Sequence, residues 1–205
     1  MDDLIEGYRR FRQETWPEQQ ARFEELAEGQ SPKTLVVACS DSRADPAMVF
    51  NAAPGQLFVV RNVAALVPPY QPDGHYHDVS AALEFGVRVL QVERIVVMGH
   101  ARCGGVNALL YGAPETARDF VQPWMSMARP ALERVAEETP GQAQDQDACE
   151  REVVRLSLNN LRTFPWVAEA EQAGRLRLIG ARFDIATGVL AALDAKTGRF
   201  NTVEV

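Results

Sequence analysis

The sequence predicts an α/β fold built on a parallel sheet with both faces covered. Three observations carry this reading. The first half of the 205-residue chain alternates compact apolar runs with helical stretches. The runs "KTLVVA", "LFVVRN" and "RIVVMG" are β-branched and apolar throughout, without the polar alternation of a half-exposed sheet. Near the end, "RLRLIGARFD" and "VLAALD" bracket a turn at Thr187-Gly188, as a strand pair does.

The elements follow in order. Up to about Glu28 the chain reads as helix: Leu4, Ile5, Tyr8 and Phe11 recur at helical spacing, as do Phe23 and Leu26. Pro17 suits the first turn of a second helix within this arm. The first buried strand ends at Cys39. A helix starts next, with Asp45 as its cap and Pro46 at its first position. A second buried strand, "LFVVRN", precedes the helix "DVSAALEFGVRVL", which Asp78 can cap. The third strand ends at His100, and a helix starts near Gly104. A mixed helical stretch leads into a long helix from about Cys149 to Phe164. "EETPGQAQDQDA" reads as a loop or frayed helix end, too short to separate domains. One domain over 1–205 is expected, with 1–28 as a helical arm.

Composition narrows the class. Hydrophobic residues at 46% and charged residues at 24% make an ordinary globular balance. No apolar run approaches the roughly 20 residues that span a membrane. "MDDLIEGYRR" is acidic where a signal peptide is basic and then apolar, so a cytoplasmic protein is expected. A formal net charge of −7 argues against nucleic acid as partner. It leaves room for a small anion at a locally positive site. Three cysteines, Cys39, Cys103 and Cys149, are too few for a disulfide framework and favour metal binding or catalysis.

The chemistry gathers at the strand ends. In a parallel sheet the ligand site lies beyond the carboxyl ends of the strands. Cys39 ends the first strand, His100 ends the third, and Cys103 lies one turn on in "GHARCGG". Two thiolates and one imidazole suit zinc, and three protein ligands leave a fourth position open, as in a catalytic site. A buried apolar thiol is the plainer reading of any one of these cysteines taken alone. Cys149 opens a distant helix and reads as a packed thiol. In "CSDSR", Asp41 and Arg43 flank the same edge and can pair, which keeps the carboxylate ionised. Gly104 and Gly105 open a helix beside them, where free N–H groups attract anions and a substrate can approach closely. Zinc with an open position lowers the pKa of bound water from about 15.7 towards 7. There is no H-E-x-x-H, and these motifs hold no extra carboxylate to act as a peptidase base. The set suits addition of hydroxide to a small electrophile.

"ACSDSR" and "GHARCGG", separated by "FVVRNVAALVPPY", resemble the β-class of carbonic anhydrases, most closely its plant-like branch. The likeness covers most of the chain. It implies a central, mostly parallel sheet with an antiparallel edge strand, helices on both faces, and an N-terminal arm that embraces a second subunit. It implies one Zn²⁺ per chain on Cys39, His100 and Cys103, with Asp41 and Arg43 as the catalytic dyad. Gln30, Phe58, Val63, Phe85 and Gly104 match substrate-pocket positions. The implied partners are CO₂ and bicarbonate, and a second copy in a dimer or dimer of dimers, with the pocket drawn from both subunits. The implied activity is reversible hydration of CO₂ to bicarbonate and a proton. Phe85 stands where the plant-like pattern often has tyrosine. Val36 and Phe183 stand where a second branch builds an inhibitory bicarbonate site from Trp and Tyr, and Arg61 alone does not rebuild it. An open site is therefore expected, with Asp41 off the metal.

Three other readings compete with this one. Hydrolysis of CS₂ or COS would use the same scaffold. A non-catalytic zinc or redox-sensing module would need no Asp41–Arg43 pair. A cysteine phosphatase would need more than three residues between Cys39 and Arg43 to ring a phosphate. His75 and His77 in "DGHYHD" sit among Gly, Pro and Asp and read as an exposed loop. "RRFR" reads as a solvated face or subunit contact, and Trp16, Trp124 and Trp166 as core or interface aromatics.

Overall fold

A computed structural model describes residues 1–138 and 144–204. Part of the polar stretch read as a loop, residues 139–143, lies outside them. The arm comprises α1 (Asp2–Arg10), a π turn (Phe11–Thr15) and α2 (Trp16–Glu28). Pro17 sits in the first turn of α2. Phe11 and Phe23 are about 18 Å apart along a straight helix, yet their ring centroids lie 6.3 Å apart. The arm therefore bends at the π turn, and Trp16 stacks on Phe23 inside the bend. Arg22 Nε donates to Pro54 O at 2.6 Å and ties α2 to the body. No residue of α1 is buried.

The body alternates as expected. β1 (Thr34–Cys39) is followed by α3 (Pro46–Val49), β2 (Leu57–Asn62), α4 (Asp78–Glu84) with a π turn (Phe85–Val89), and β3 (Arg94–His100). Then come α5 (Gly104–Tyr111), α6 (Val121–Ser126), α7 (Arg129–Glu138), α8 (Gln146–Leu161), α9 (Pro165–Gln172), β4 (Arg177–Phe183), β5 (Leu190–Leu193) and β6 (Phe200–Thr202). The strands form one sheet in the order β2-β1-β3-β4-β5-β6. The first four are parallel and β5 and β6 run antiparallel at one edge.

Both faces of the parallel strands are dry. Leu35, Val37, Ile95 and Val97 pack with Val79, Leu83, Val154, Leu158 and Val167. Val36, Ala38, Val96 and Met98 point the other way, against Val49 and Phe50. Each such side chain contributes about 1.5–3 kcal/mol when fully buried. This two-sided burial is why the strands carry no polar alternation.

The helix α8 is seated on β3 and β4 by two glycines. A Cβ on Gly99 would lie 2.7 Å from Val154 Cγ2, and one on Gly180 3.1 Å from Val154 Cγ1. Their absence lets the first turns of α8 pass under the carboxyl end of β3.

The local expectations fare differently. Asp45 caps α3 as read, accepting from Ala47 N and Met48 N. Asp78 does not cap α4: His77 holds the cap position, and Asp78 sits inside the acidic first turn. The long helix starts at Gln146 because Asp145 accepts from Ala148 N, and it ends at Leu161. The helix α9 and the strand β6 were not anticipated. Among the described residues, no helix is long and apolar enough to cross a membrane.

Candidate metal centre

Sheet order brings the ligand residues together. β1 and β3 are neighbours and parallel, so Cys39 and His100 emerge on one edge. Cys103 follows at the cap position of α5. Between them Arg102 adopts a left-handed backbone, φ 56°, which costs a non-glycine residue roughly 1–2 kcal/mol. That turn lets the chain leave a buried strand and return a second thiol to the same point.

The donor atoms fit zinc. The thiol sulfurs of Cys39 and Cys103 lie 4.0 Å apart. Two thiolates on one tetrahedral zinc sit about 3.8 Å apart, given Zn–S bonds of about 2.3 Å. The Cys39 and Cys103 sulfurs and a ring nitrogen of His100 all lie within 4.8 Å of one another, and all three residues are buried. His100 Nδ1 donates to Ala101 O at 2.9 Å, which places the ring proton there. Nε2 is left as a bare lone pair, buried and without a hydrogen-bond partner. A buried acceptor left unused is costly, and a metal is the partner that its geometry asks for. Without metal the pair shares one proton. The Cys103 S–H, more than nearby backbone, holds Cys39 down to about 4, and the resulting thiolate and burial push Cys103 up.

The turn after β1 builds a second feature. Asp41 Oδ1 accepts from Arg43 Nε at 2.9 Å and from Arg43 N at 3.0 Å, and Oδ2 accepts from Nη2 at 2.7 Å. Hydrogen bonding from the guanidinium holds this carboxyl well below the usual carboxylate range. Asp41 Oδ2 also stands 3.8 Å from His100 Nε2. Arg43 Nη2 reaches Arg102 O at 3.3 Å, joining the two turns.

Arg61 buttresses this edge from behind. It donates to Cys39 O (2.9 Å), Asp41 O (2.7 Å) and Asp45 Oδ2 (2.8 Å). The segment after β2 is strained in the same way as Arg102: Ala64 and Ala65 both have positive φ, 67° and 54°. Asn62 fixes it by exchanging two side-chain bonds with Leu66. Val63 is held beside the edge, its carbonyl accepting from Trp124 Nε1 at 2.8 Å. A Cβ on Gly104 would meet nothing within 4 Å, so the approach there is open.

Not every expected residue joins the cluster. Phe58 pairs in register with Leu35, four residues and about 13 Å of strand from Cys39. Phe85 stacks on Phe58 with centroids 5.8 Å apart, and is 44% exposed. Gln30 is exposed beyond the end of α2. Within one chain these three stand apart from the metal ligands. Val36 is buried in the core, and Phe183 pairs in register with His100. Cys149 is buried and outside the ligand group, as a packed thiol. His75 and His77 both contact Asp73 in a surface loop, at 3.2 and 2.7 Å.

A family model described as carbonic anhydrase matches residues 34–190, which run from the start of β1 through β4 to the first residue of β5 and include every residue of the cluster. The chain belongs to the β-carbonic anhydrase family. It is 41% identical over 203 residues to a carbonic anhydrase of Pseudomonas aeruginosa, covering 98% of this chain and 90% of that protein. Its fold superposes on the β-carbonic anhydrase CcaA with a TM-score of 0.90 at 29% identity, covering 99% of both chains. A tetrameric β-carbonic anhydrase from the ascomycete Sordaria macrospora gives a TM-score of 0.81 at 25% identity, with 95% and 96% covered. A mostly parallel sheet with antiparallel strands at its edge is thus the family's fold, and zinc is the metal that the Cys-His-Cys group of this β-carbonic anhydrase suits.

Residue-by-residue reading overlooked the support behind Cys103. Glu150, 3% exposed, accepts from Cys103 N at 3.1 Å and from Arg182 Nη2 at 2.8 Å. Buried Glu150 on an otherwise amphipathic helix carries no local signal of its partner, which lies 47 residues away.

Proposed function

We propose that this chain catalyses the reversible hydration of CO₂ to bicarbonate and a proton, with Cys39, His100 and Cys103 holding one zinc ion. The observation that carries the reading is the bare His100 Nε2, sharing a buried point with two thiol sulfurs and faced by an ionised Asp41. Zinc held there supplies the Lewis acidity that makes water nucleophilic near neutral pH. Asp41 accepts a hydrogen bond from the attacking water and fixes its direction. Arg43 keeps that carboxylate charged and immobile by gripping both oxygens. Val63 offers an apolar wall to CO₂, and the α5 start at Gly104 offers backbone N–H groups to the bicarbonate product. The released proton passes to solvent. Because Arg43 occupies both Asp41 oxygens, the reading keeps Asp41 off the metal and the site open.

The pocket is completed, on this reading, by a second copy. The chain exposes 12539 Å², against roughly 9,500 Å² for a monomer of its 22.7 kDa. The excess is apolar where it matters. Leu4, Ile5 and Tyr8 on α1 are 76%, 43% and 61% exposed, and Val59, Phe85 and Val89 are exposed on the body. A dimer in which each arm embraces the other copy covers both and brings Gln30, Phe58 and Phe85 to the partner's metal. The tetrameric relative supports pairing of such dimers. A single domain over 1–205 and a cytoplasmic setting complete the proposal; all three cysteines are free, which suits a reducing compartment. Nucleic acid has no place in it, given the net charge of −7.

Stopped-flow CO₂ hydration on purified protein, with zinc counted, tests the proposal. About one zinc per chain, turnover, and loss of turnover on chelation are expected. One zinc per chain with no turnover from neutral to alkaline pH would overturn it.

A further inference from the structure

We infer that Glu150 is a positioning residue for the metal centre, acting through the backbone of Cys103 rather than through any ligand atom. The inference rests on Cys103 being a zinc ligand. The segment that delivers Cys103 is strained: Arg102 is left-handed, and Cys103 caps α5 with no side-chain cap bond of its own. Such a conformation persists only when its surroundings over-determine it. Here the surroundings are a clasp from α8. Glu150 Oε1 accepts from Cys103 N at 3.1 Å. The same Oε1 accepts from Gln146 Nε2 at 3.1 Å, and Gln146 Nε2 reaches Cys103 O at 3.3 Å. Both backbone polar groups of one peptide residue are therefore held by two side chains one helical turn apart.

The clasp is itself anchored. Glu150 Oε2 accepts from Arg182 Nε and Nη2 at 3.2 and 2.8 Å. Arg182 also meets Asp147 at 2.5 Å. Arg182 stands on β4, in register with Gly99 and adjacent to Phe183, the partner of His100. Ala101 N donates to Phe183 O at 2.8 Å, so the same strand holds the His100 side of the turn. One buried ion pair thus ties both ends of the His100–Cys103 turn to α8 and β4. A buried pair adds little net stability against an apolar one, so its stability alone does not account for it. Holding a ligand backbone in place does, because outer partners of metal ligands carry 10–100-fold in metal affinity or activity.

The test measures zinc release into excess chelator, together with the thiolate charge-transfer band of the cobalt-substituted protein and exchange of the Cys103 amide. E150A should release zinc about tenfold faster or more, shift the cobalt band and expose the amide. E150Q retains an acceptor oxygen and should fall between E150A and the parent. Q146A removes one amide donor, keeps both members of the Glu150–Arg182 ion pair and leaves no buried charge unpaired; it should release zinc several-fold faster. A folded E150A with parental release and parental cobalt band overturns the inference. So does an E150Q as damaged as E150A. Should E150A fail to fold, parental release from Q146A overturns it. A parent that purifies and reconstitutes without zinc defeats the ligand set instead, and is read from the metal count alone.

Discussion

The Asp41 carboxylate and the Arg43 guanidinium meet as a fork, Oδ1 to Nε at 2.9 Å and Oδ2 to Nη2 at 2.7 Å, with Oδ2 only 3.8 Å from the bare nitrogen of His100. Two residues apart in a turn, they could have been an ordinary surface pair worth under about 1 kcal/mol. Their placement gives them another use. The fork fixes a charged acceptor beside the point where three ligands converge, and Arg61 and Arg102 O lock its two ends.

The pair is expected to matter for rate and little for metal content. Asp41→Ala should lower kcat/KM for CO₂ by about 10²–10⁴, the range of a positioned proton acceptor, while keeping one zinc per chain. Arg43→Lys keeps the charge but offers one point in place of a fork, and should lose on the order of tenfold. Stopped-flow rates beside zinc analysis check both. A zinc-loaded Asp41→Ala within threefold of the parent would remove Asp41 from the chemistry.

What was legible in the sequence was what lies along the chain. Cys39 and His100 could be placed because apolar strands end on them, Cys103 because it lies one turn beyond His100, and the parallel order of β1 and β3 makes neighbours of the strand ends. Asp45 and Pro46 announced α3 by local chemistry alone. β6 carries a legible signal too: Asp194, Thr197 and Gly198 repeat the pattern of Asp184, Thr187 and Gly188, and both turns close with the same bonds. Glu150 and Arg182 were not legible, because each owes its role to a residue dozens of positions away on a different element. Phe58 and Phe85 point to a further limit. Their stacking is intramolecular, and at their distance from Cys39 the pocket role implied for them fits only the proposed dimer.

That second copy gives the next prediction. Leu4 and Tyr8 lie on the outer face of an arm tied to the body through α2. Placing charges there, as Leu4→Asp with Tyr8→Asp, leaves the buried core untouched. Light scattering should show the parent as a dimer or larger and the variant shifted toward monomer. Hydration should fall with it, on the order of tenfold or more, since misplaced pocket walls cost rate even where ligands are intact. A monomeric parent, or a fully dissociated variant with parental turnover, would show that each chain carries a complete site.

The last prediction concerns Cys149, the thiol that the metal does not use. Burial first, and then the charges of Glu150, Glu152 and Asp145, push it up from 9.0 to about 11. Its folded pKa is raised, so the neutral thiol is the form the fold accepts. The stability tied to that preference is complete below about pH 9 and is lost as pH climbs through about 11. Two units correspond to about 2–3 kcal/mol. Cys149→Ala removes the group and with it this alkaline dependence, while adding a small cavity whose cost does not vary with pH. Urea midpoints for parent and variant should therefore converge as pH rises from about 9 to about 11. Below that window the gap should stay constant. Thiol reagents at neutral pH should leave Cys149 unmodified until the chain unfolds. A gap that holds constant across the window, or rapid labelling of Cys149 in the native protein, would show that the thiol is not held neutral by its surroundings.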